Sequence, residues 1–347
     1  MINCAVLVWT SDNICVFTNY AQSWIKHKVN SDERYSLRLQ SDFAGRVFIR
    51  LTDGRKTSMV SDDFGSRFKW LPSLPGKGNP ISPYNTKLHP ATALVSVIDD
   101  DKLYIYDLSR QNWYSRSLPS GIKVNDISIN SKGELWCAGS VSSKRLPNED
   151  TEAAIRYQSS VGQRFISRSP QLNPFTASRI IRYGGLSELR TIDSEADPVI
   201  CTSNCSWLLD DPSSFVFIFF PKKTIVKRFK GELICSTERL SNGLIRVFTY
   251  AGNLWTFNGK CWHKFSLVSS INNALFITNR KILIRGLDSR NEQIVTAVEV
   301  APEGAGDFVQ NPDFTAVCIS EDGGNSFQVR KQFFFKDDKE IQDVALL

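Results

Sequence analysis

A strand–turn–aromatic unit recurs along the chain and narrows what it can fold into. One copy is the apolar run AVCI (316–319), the polar stretch SEDGGNS (320–326) and Phe327. Upstream copies read ICVF–TNYAQS–Trp24, TSMV–SDDFGSR–Phe68, LYIY–DLSRQN–Trp113, AIRY–QSSVGQR–Phe165, SWLL–DDPSS–Phe215 and LWT–FNGKC–Trp262. The seven aromatics are separated by 44, 45, 52, 50, 47 and 65 residues. Other short β-like runs fall between them, each followed by turn residues: RVFIRL then TDG, ALVSV then IDDD, DISI then NSKG, GLIRVFTY then AGN, KILIRG then LDS. These are hairpin signals. No long stretch shows helical periodicity with caps.

Short strands at close spacing, rich in Trp and Phe, form a sandwich or a β-propeller. A quasi-period near 50 residues selects the propeller, whose four-stranded blades have repeats of that length. Ahead of Trp24 there is room for three strands, at about 3–9, 14–18 and 23–28. The C-terminal run EIQDVALL has no partner of its own. Placing residues 341–347 as the missing innermost strand of the first blade removes an open sheet edge. The expectation is an all-β, seven-bladed propeller, a single domain over residues 1–347, closed by its C-terminal strand. The innermost strand of the fifth blade falls at 179–183 or at 189–193. QIVTAVEV (293–300) reads as a long insertion in the seventh.

The turn at 320–327 resembles the Asp-box, or BNR repeat, Ser-x-Asp-x-Gly-x-Thr-aromatic, through Ser320, Asp322, Gly324 and Phe327. A second match has Ser61, Asp63, Gly65 and Phe68, with Arg67 where the motif has Ser or Thr. QSSVGQRF (158–165) is a degenerate copy that keeps Gly162 and Phe165 but has Ser160 for Asp. The short Asp or Ser side chain bonds backbone amides two or three residues on. Gly supplies a positive φ, and the aromatic packs between blades. The resemblance implies turns joining third to fourth strands, on the face opposite the ligand site. Asp322 is therefore read as structural. A calcium loop needs more oxygen ligands and a terminal acid.

Composition excludes several classes. Of 347 residues, 41% are hydrophobic and 11% aromatic, which rules out disorder. The net charge of +6 is too small and scattered for a nucleic-acid surface. The longest apolar run, Phe215 to Phe220, falls far short of a membrane span. MINCAVLVWTSDN lacks a basic n-region, so a cytoplasmic location is expected. The eight cysteines (4, 15, 137, 201, 205, 235, 261 and 318) read as structural thiols, most of them within apolar runs. Cys201 and Cys205 have no second pair or nearby His to complete a zinc set, so no metal and no cofactor is expected.

No catalytic residue is assigned. Asp-box propellers include sialidases, but no Arg-Ile-Pro segment occurs here. Asp99–Asp101 read as a solvated hairpin turn. His27 and His263 fall in outer strands, and His89 precedes Pro90 in a loop. A paired-carboxylate site is defined in space, so glycosidase chemistry stays open. Long loops are expected at about 29–34, 71–91, 139–153, 169–188, 220–231 and 287–313, and loops of that length are often functional. Two basic ones, Arg179 and Arg182 with Tyr183, and Lys222, Lys223, Lys227 and Arg228, fall on one face if the blades are correctly placed. The leading reading is a monomeric, non-enzymatic interaction module that docks another protein, an acidic one, on that patch. The alternative is a carbohydrate-binding protein or glycosidase. A third is a bacterial immunity or accessory protein that binds a secreted partner.

Overall fold

The computed structural model describes the chain apart from residues 1, 11–12, 29–37, 43, 54–55, 76–85, 100–101, 143–150, 159, 161–162, 168–190, 195–197, 205–212, 221–222, 305–311 and 335–339. Its described strands form seven four-stranded antiparallel sheets. Sheet I holds β1 (Cys4–Trp9), β2 (Asn13–Thr18) and β3 (Ser23–Lys28). Sheet II holds β4 (Arg38–Ser41), β5 (Val47–Asp53), β6 (Lys56–Ser61) and β7 (Lys69–Trp70). Sheet III holds β8 (Thr86–His89), β9 (Leu94–Asp99), β10 (Lys102–Asp107) and β11 (Asn112–Ser117). Sheet IV holds β12 (Lys123–Ile129), β13 (Leu135–Ser142), β14 (Thr151–Gln158) and β15 (Ile166–Ser167). Sheet V holds β16 (Thr191–Asp193), β17 (Val199–Asn204), β18 (Ser213–Phe220) and β19 (Lys223–Lys230). Sheet VI holds β20 (Ile234–Arg239), β21 (Ile245–Thr249), β22 (Asn253–Phe257) and β23 (Trp262–Ser266). A helix, α1 (Leu267–Leu275), then leads to sheet VII: β24 (Arg280–Arg290), β25 (Gln293–Pro302), β26 (Phe314–Ser320) and β27 (Gln328–Phe334). Finally β28 (Glu340–Leu346) returns to sheet I and pairs antiparallel with β1, with Val6 opposite Val344.

The chain divides into two compact units. One comprises Met1–Tyr84 with Cys235–Leu347, and the other Asn85–Ile234. Within each unit, successive sheets share cores. Leu7, Ile14 and Val16 of sheet I pack with Leu39, Val47 and Met59 of sheet II. Ile105 and Leu103 of sheet III pack with Ile127 and Leu135 of sheet IV. Each such side chain, fully buried, contributes roughly 1.5–3 kcal/mol. Burial falls from the inner strands outward. Every residue of β1 is buried, whereas β3 and β11 are largely exposed. The outer strands accordingly carry charge (SWIKHK, NWYSRS) where the inner ones are apolar (CAVLVW).

Six of the seven aromatic markers fall in, or immediately before, the fourth strand of a sheet. Trp24, Trp113 and Trp262 each pair across to a third-strand aromatic (Phe17, Tyr106 and Phe257) at a ring-centroid distance of 5.0 Å. The exception is Phe215, which lies in the third strand, β18. Its SSFVFIFF run is buried over its first six residues, so this aromatic lies inside the sheet and not at its outer strand. The expected loop at 220–231 is largely β19. The stretch 287–313 contains the end of β24 and all of β25, so QIVTAVEV is the second strand of sheet VII and not an insertion. Likewise 139–153 includes parts of β13 and β14, and 71–91 includes β8. The innermost strand of sheet V is β16, near the second of the two expected positions.

Candidate interaction surfaces

Of the residues expected to form a basic docking patch, Arg179, Arg182, Tyr183 and Lys222 lie outside the described residues. Lys223, Lys227 and Arg228 lie in β19, the fourth strand of sheet V, and so on a strand and not a loop. Side chains alternate along a strand, so Lys223 and Lys227 share one face while Arg228 takes the other. The Lys223 ammonium stands 5.2 Å from the centre of the Phe220 ring, as a cation–π contact. The Arg228 guanidinium donates to Ser213 Oγ through Nε (3.1 Å) and Nη2 (2.9 Å).

The two Asp-box-like turns have one geometry. At the first, Ser61 Oγ donates to Asp63 Oδ1 (2.7 Å) and accepts from Gly65 N (2.8 Å), while Arg67 N donates to Asp63 Oδ1 (2.9 Å). At the second, Ser320 Oγ donates to Asp322 Oδ1 (2.8 Å) and accepts from Gly324 N (2.8 Å), while Ser326 N donates to Asp322 Oδ1 (2.9 Å). Ser326 adds its hydroxyl to Asp322 Oδ2 (2.6 Å), a bond Arg67 does not reproduce in kind. These bonds to Ser326 hold the Asp322 carboxyl down at about 2. Both turns join third to fourth strands. Gly65 and Gly324 have φ of +79° and +96°, and a Cβ on either would meet a side chain of the preceding segment, Thr18 or Leu267. Phe68 packs onto the core shared by sheets I and II, and Phe327 joins the core shared by sheets VI, VII and α1.

Carboxylates also gather on the inner strands of the first unit. Asp343 on β28 accepts from Leu39 N of β4 (3.1 Å) and from Val344 N (3.0 Å), with Arg38 at 4.0 Å. Burial pushes the Asp343 carboxyl up to about 6 against the opposing pull of Arg38. Asp288 on β24 accepts from Leu346 N (2.8 Å), and burial raises it too. Ser41 Oγ donates to Leu346 O. These groups lace β24, β28 and β4 together. Arg285 and the buried Glu299 pair at 2.5 Å on sheet VII. Sequence spacing could not show this, because the carboxylates lie on strands far apart in the chain.

His89 differs from its expected loop placement. It ends β8 and is buried. Its Nδ1 accepts from Ile129 N (3.3 Å), so Nε2 carries the proton and donates to Ser96 Oγ (2.8 Å). Burial holds the ring well below its ordinary value. The imidazole is thus neutral and cannot take a proton from Ser96; its role is to join β8, β9 and β12. His27 and His263 lie in the fourth strands β3 and β23, as expected. Among the described residues, no three His, Cys, Asp or Glu side chains gather to hold a metal ion.

One feature of the first unit was not anticipated. Leu267, Ile271 and Leu275 bury one face of α1 in the core of sheets VI and VII. The helix ends at Phe276, which takes a left-handed conformation (φ 54°) and leaves its ring 95% exposed. Backbone N–H groups of Phe276 and Ile277 close the helix on Asn273 O and Asn272 O. Phe276, Ser270 and Asn273 line a groove of about 530 Å³ with Asn325, Gln328 and Val329 from the 320–327 turn and β27. The apolar spacing 267, 271, 275 was the available signal, but nine residues is a short window for it.

No family model matches the chain, and no curated protein matches it. Solved structures do. One described as a mitotic checkpoint complex is 12% identical over 90% of this chain and 84% of that one, with a TM-score of 0.50. One described as YCF48 bound to D1 peptide is also 12% identical, over 90% and 93% of the two chains, with a TM-score of 0.49. A protein of unknown function from Bacteroides caccae is 10% identical over 100% and 99%, with a TM-score of 0.45. Identity at this level speaks to fold alone, and the fold is an all-β propeller. No helix among the described residues is long and apolar enough to cross a membrane.

Proposed function

We propose that this protein is a non-enzymatic interaction module. In this reading it is one domain over residues 1–347, an Asp-box propeller of seven blades whose ring is closed by β28, acting as a cytoplasmic monomer. Seven four-stranded sheets and the β28–β1 pairing support the ring. The paired Ser–Asp–Gly turns support the Asp-box reading.

The observation that carries the function is Phe276. Phe276, 95% exposed at the mouth of the groove on a helix anchored in the core, supplies a fixed apolar anchor for a partner. It stands at a groove whose lining is uncharged, with amide and hydroxyl groups from Asn273, Asn325, Gln328 and Ser270. That combination suits a protein segment laying an apolar side chain on the ring and its main chain on the amides. A rigid sheet and helix lose little entropy on binding. The fold is similar to that of a structure described as a mitotic checkpoint complex.

A second surface follows from the charge of β19, an outer strand with Lys223 and Lys227 on one face and Arg228 and Lys230 on the other. With Arg179, Arg182, Tyr183 and Lys222 it would meet an acidic partner. The test is affinity capture with three baits: wild type, Phe276→Ala, and Lys223→Glu/Lys227→Glu/Arg228→Glu. A stoichiometric partner lost by Phe276→Ala alone supports the groove. One lost by the charge reversal alone moves the contact to β19. A partner held equally by all three discards both surfaces.

A further inference from the structure

The hairpin between β22 and β23 carries a thiol unlike the others described. Cys4, Cys137, Cys201 and Cys318 are buried, and Cys235 is half-buried. Burial pushes Cys4 up to about 11, and Cys137, Cys235 and Cys318 up to about 12, while Cys201 lies well above its ordinary value. Such thiols are inert. Cys261 is exposed, and its Sγ lies 3.1 Å from His263 Nε2.

A third group completes the cluster. Asn258 Nδ2 donates to Cys261 Sγ at 3.3 Å. Its Oδ1 accepts from the backbone of Lys260 (3.0 Å) and Cys261 (2.9 Å), which fixes the carboxamide. The flanking register is pinned by Phe257 opposite Trp262, and His263 lies opposite Thr256 in the same ladder. The sulfur thus has a base to take its proton and an amide to solvate the resulting charge, on a rigid hairpin open to solvent.

We propose that Cys261 is a reversible modification site that undergoes exchange with low-molecular-weight disulfides. His263 Nε2 takes the thiol proton, and the Cys261 thiolate attacks one sulfur of the small disulfide. The S–S bond of the reagent breaks, a mixed disulfide forms on Cys261, and the other half leaves as a thiolate that takes up the proton. Nothing else is oxidised or reduced. A second thiol reverses the reaction. The expectation that every cysteine is structural does not fit Cys261.

The test treats the full chain with glutathione disulfide at neutral pH and follows it by intact mass and peptide mapping. A single addition at Cys261 is expected, at least tenfold faster than for a free peptide spanning residues 257–263. His263→Ala should slow the reaction about tenfold, and Asn258→Ala by a few-fold, with unchanged circular dichroism. His263→Gln, which keeps a polar side chain without a base, should behave as His263→Ala. The proposal is overturned if Cys205 or a buried cysteine reacts first. It also fails if the peptide reacts as fast as the protein, or if both His263 variants react at the wild-type rate.

Discussion

Two turns of this chain differ by one side chain that does chemistry within the turn. At 320–326, Asp322 receives the Ser320 hydroxyl, the Ser326 amide and the Ser326 hydroxyl. At 61–67 the last of these is missing because Arg67 stands in place of the serine. Asp322→Ala should therefore destabilise the protein by about 1–2 kcal/mol, and Asp63→Ala by less. Arg67→Ser should stabilise by a few tenths of a kcal/mol. Urea denaturation of the three variants checks the order, and an equal loss at both aspartates would refute the role given to Ser326. The pH sign follows from the depressed carboxyl. The Asp322 contribution is present above the ordinary carboxylate value of 3.8 and is lost as pH falls toward 2.

Elements show where sequence was legible. The strands of sheet I were readable to within a residue or two, because an apolar run bounded by turn residues has few other readings. β19 was not. KTIVKRFK has the charge density of a loop, and only its place at the outer side of a sheet makes that charge tolerable in a strand. The inner-strand carboxylates were illegible for a different reason. Asp343 of sheet I and Leu39 of sheet II meet only because β28 returns from the far end of the sequence to pair with β1. Asp343 gives the opposite pH sign to Asp322. Its carboxyl rises from 3.8 to about 6 on folding, so the folded chain holds that proton more tightly. Stability from this group is full below about pH 4 and declines as pH rises to 6, by roughly 3 kcal/mol at most. Calorimetry should show Tm rising as pH is lowered from 7.5 to 5.5. Asp343→Asn should flatten that slope, and a slope unchanged by the substitution would remove Asp343 as its source.

At the scale of the molecule, β28 carries more than its length suggests. It fills the edge of β1, joins the core of Val6, Val8, Val295 and Val317, and brings Asp343 to β4. Deleting residues 340–347 should abolish the cooperative thermal transition, because it opens an edge and a core at once. Adding the peptide EIQDVALL in trans should restore part of that transition, read by circular dichroism. A truncated chain that melts like the wild type would mean that sheet I is stable with three strands.

The same pairing sets an order of events during synthesis. β1 leaves the ribosome well ahead of its inner neighbour β28, with most of this sequence translated in between. At ordinary rates of translation the interval is on the order of tens of seconds. Throughout it, the strand CAVLVW presents an unpaired apolar edge to the cell. A nascent chain of this kind is most exposed to misassembly just before β28 emerges, and anything that shields β1 until then should govern its yield more than its final stability does.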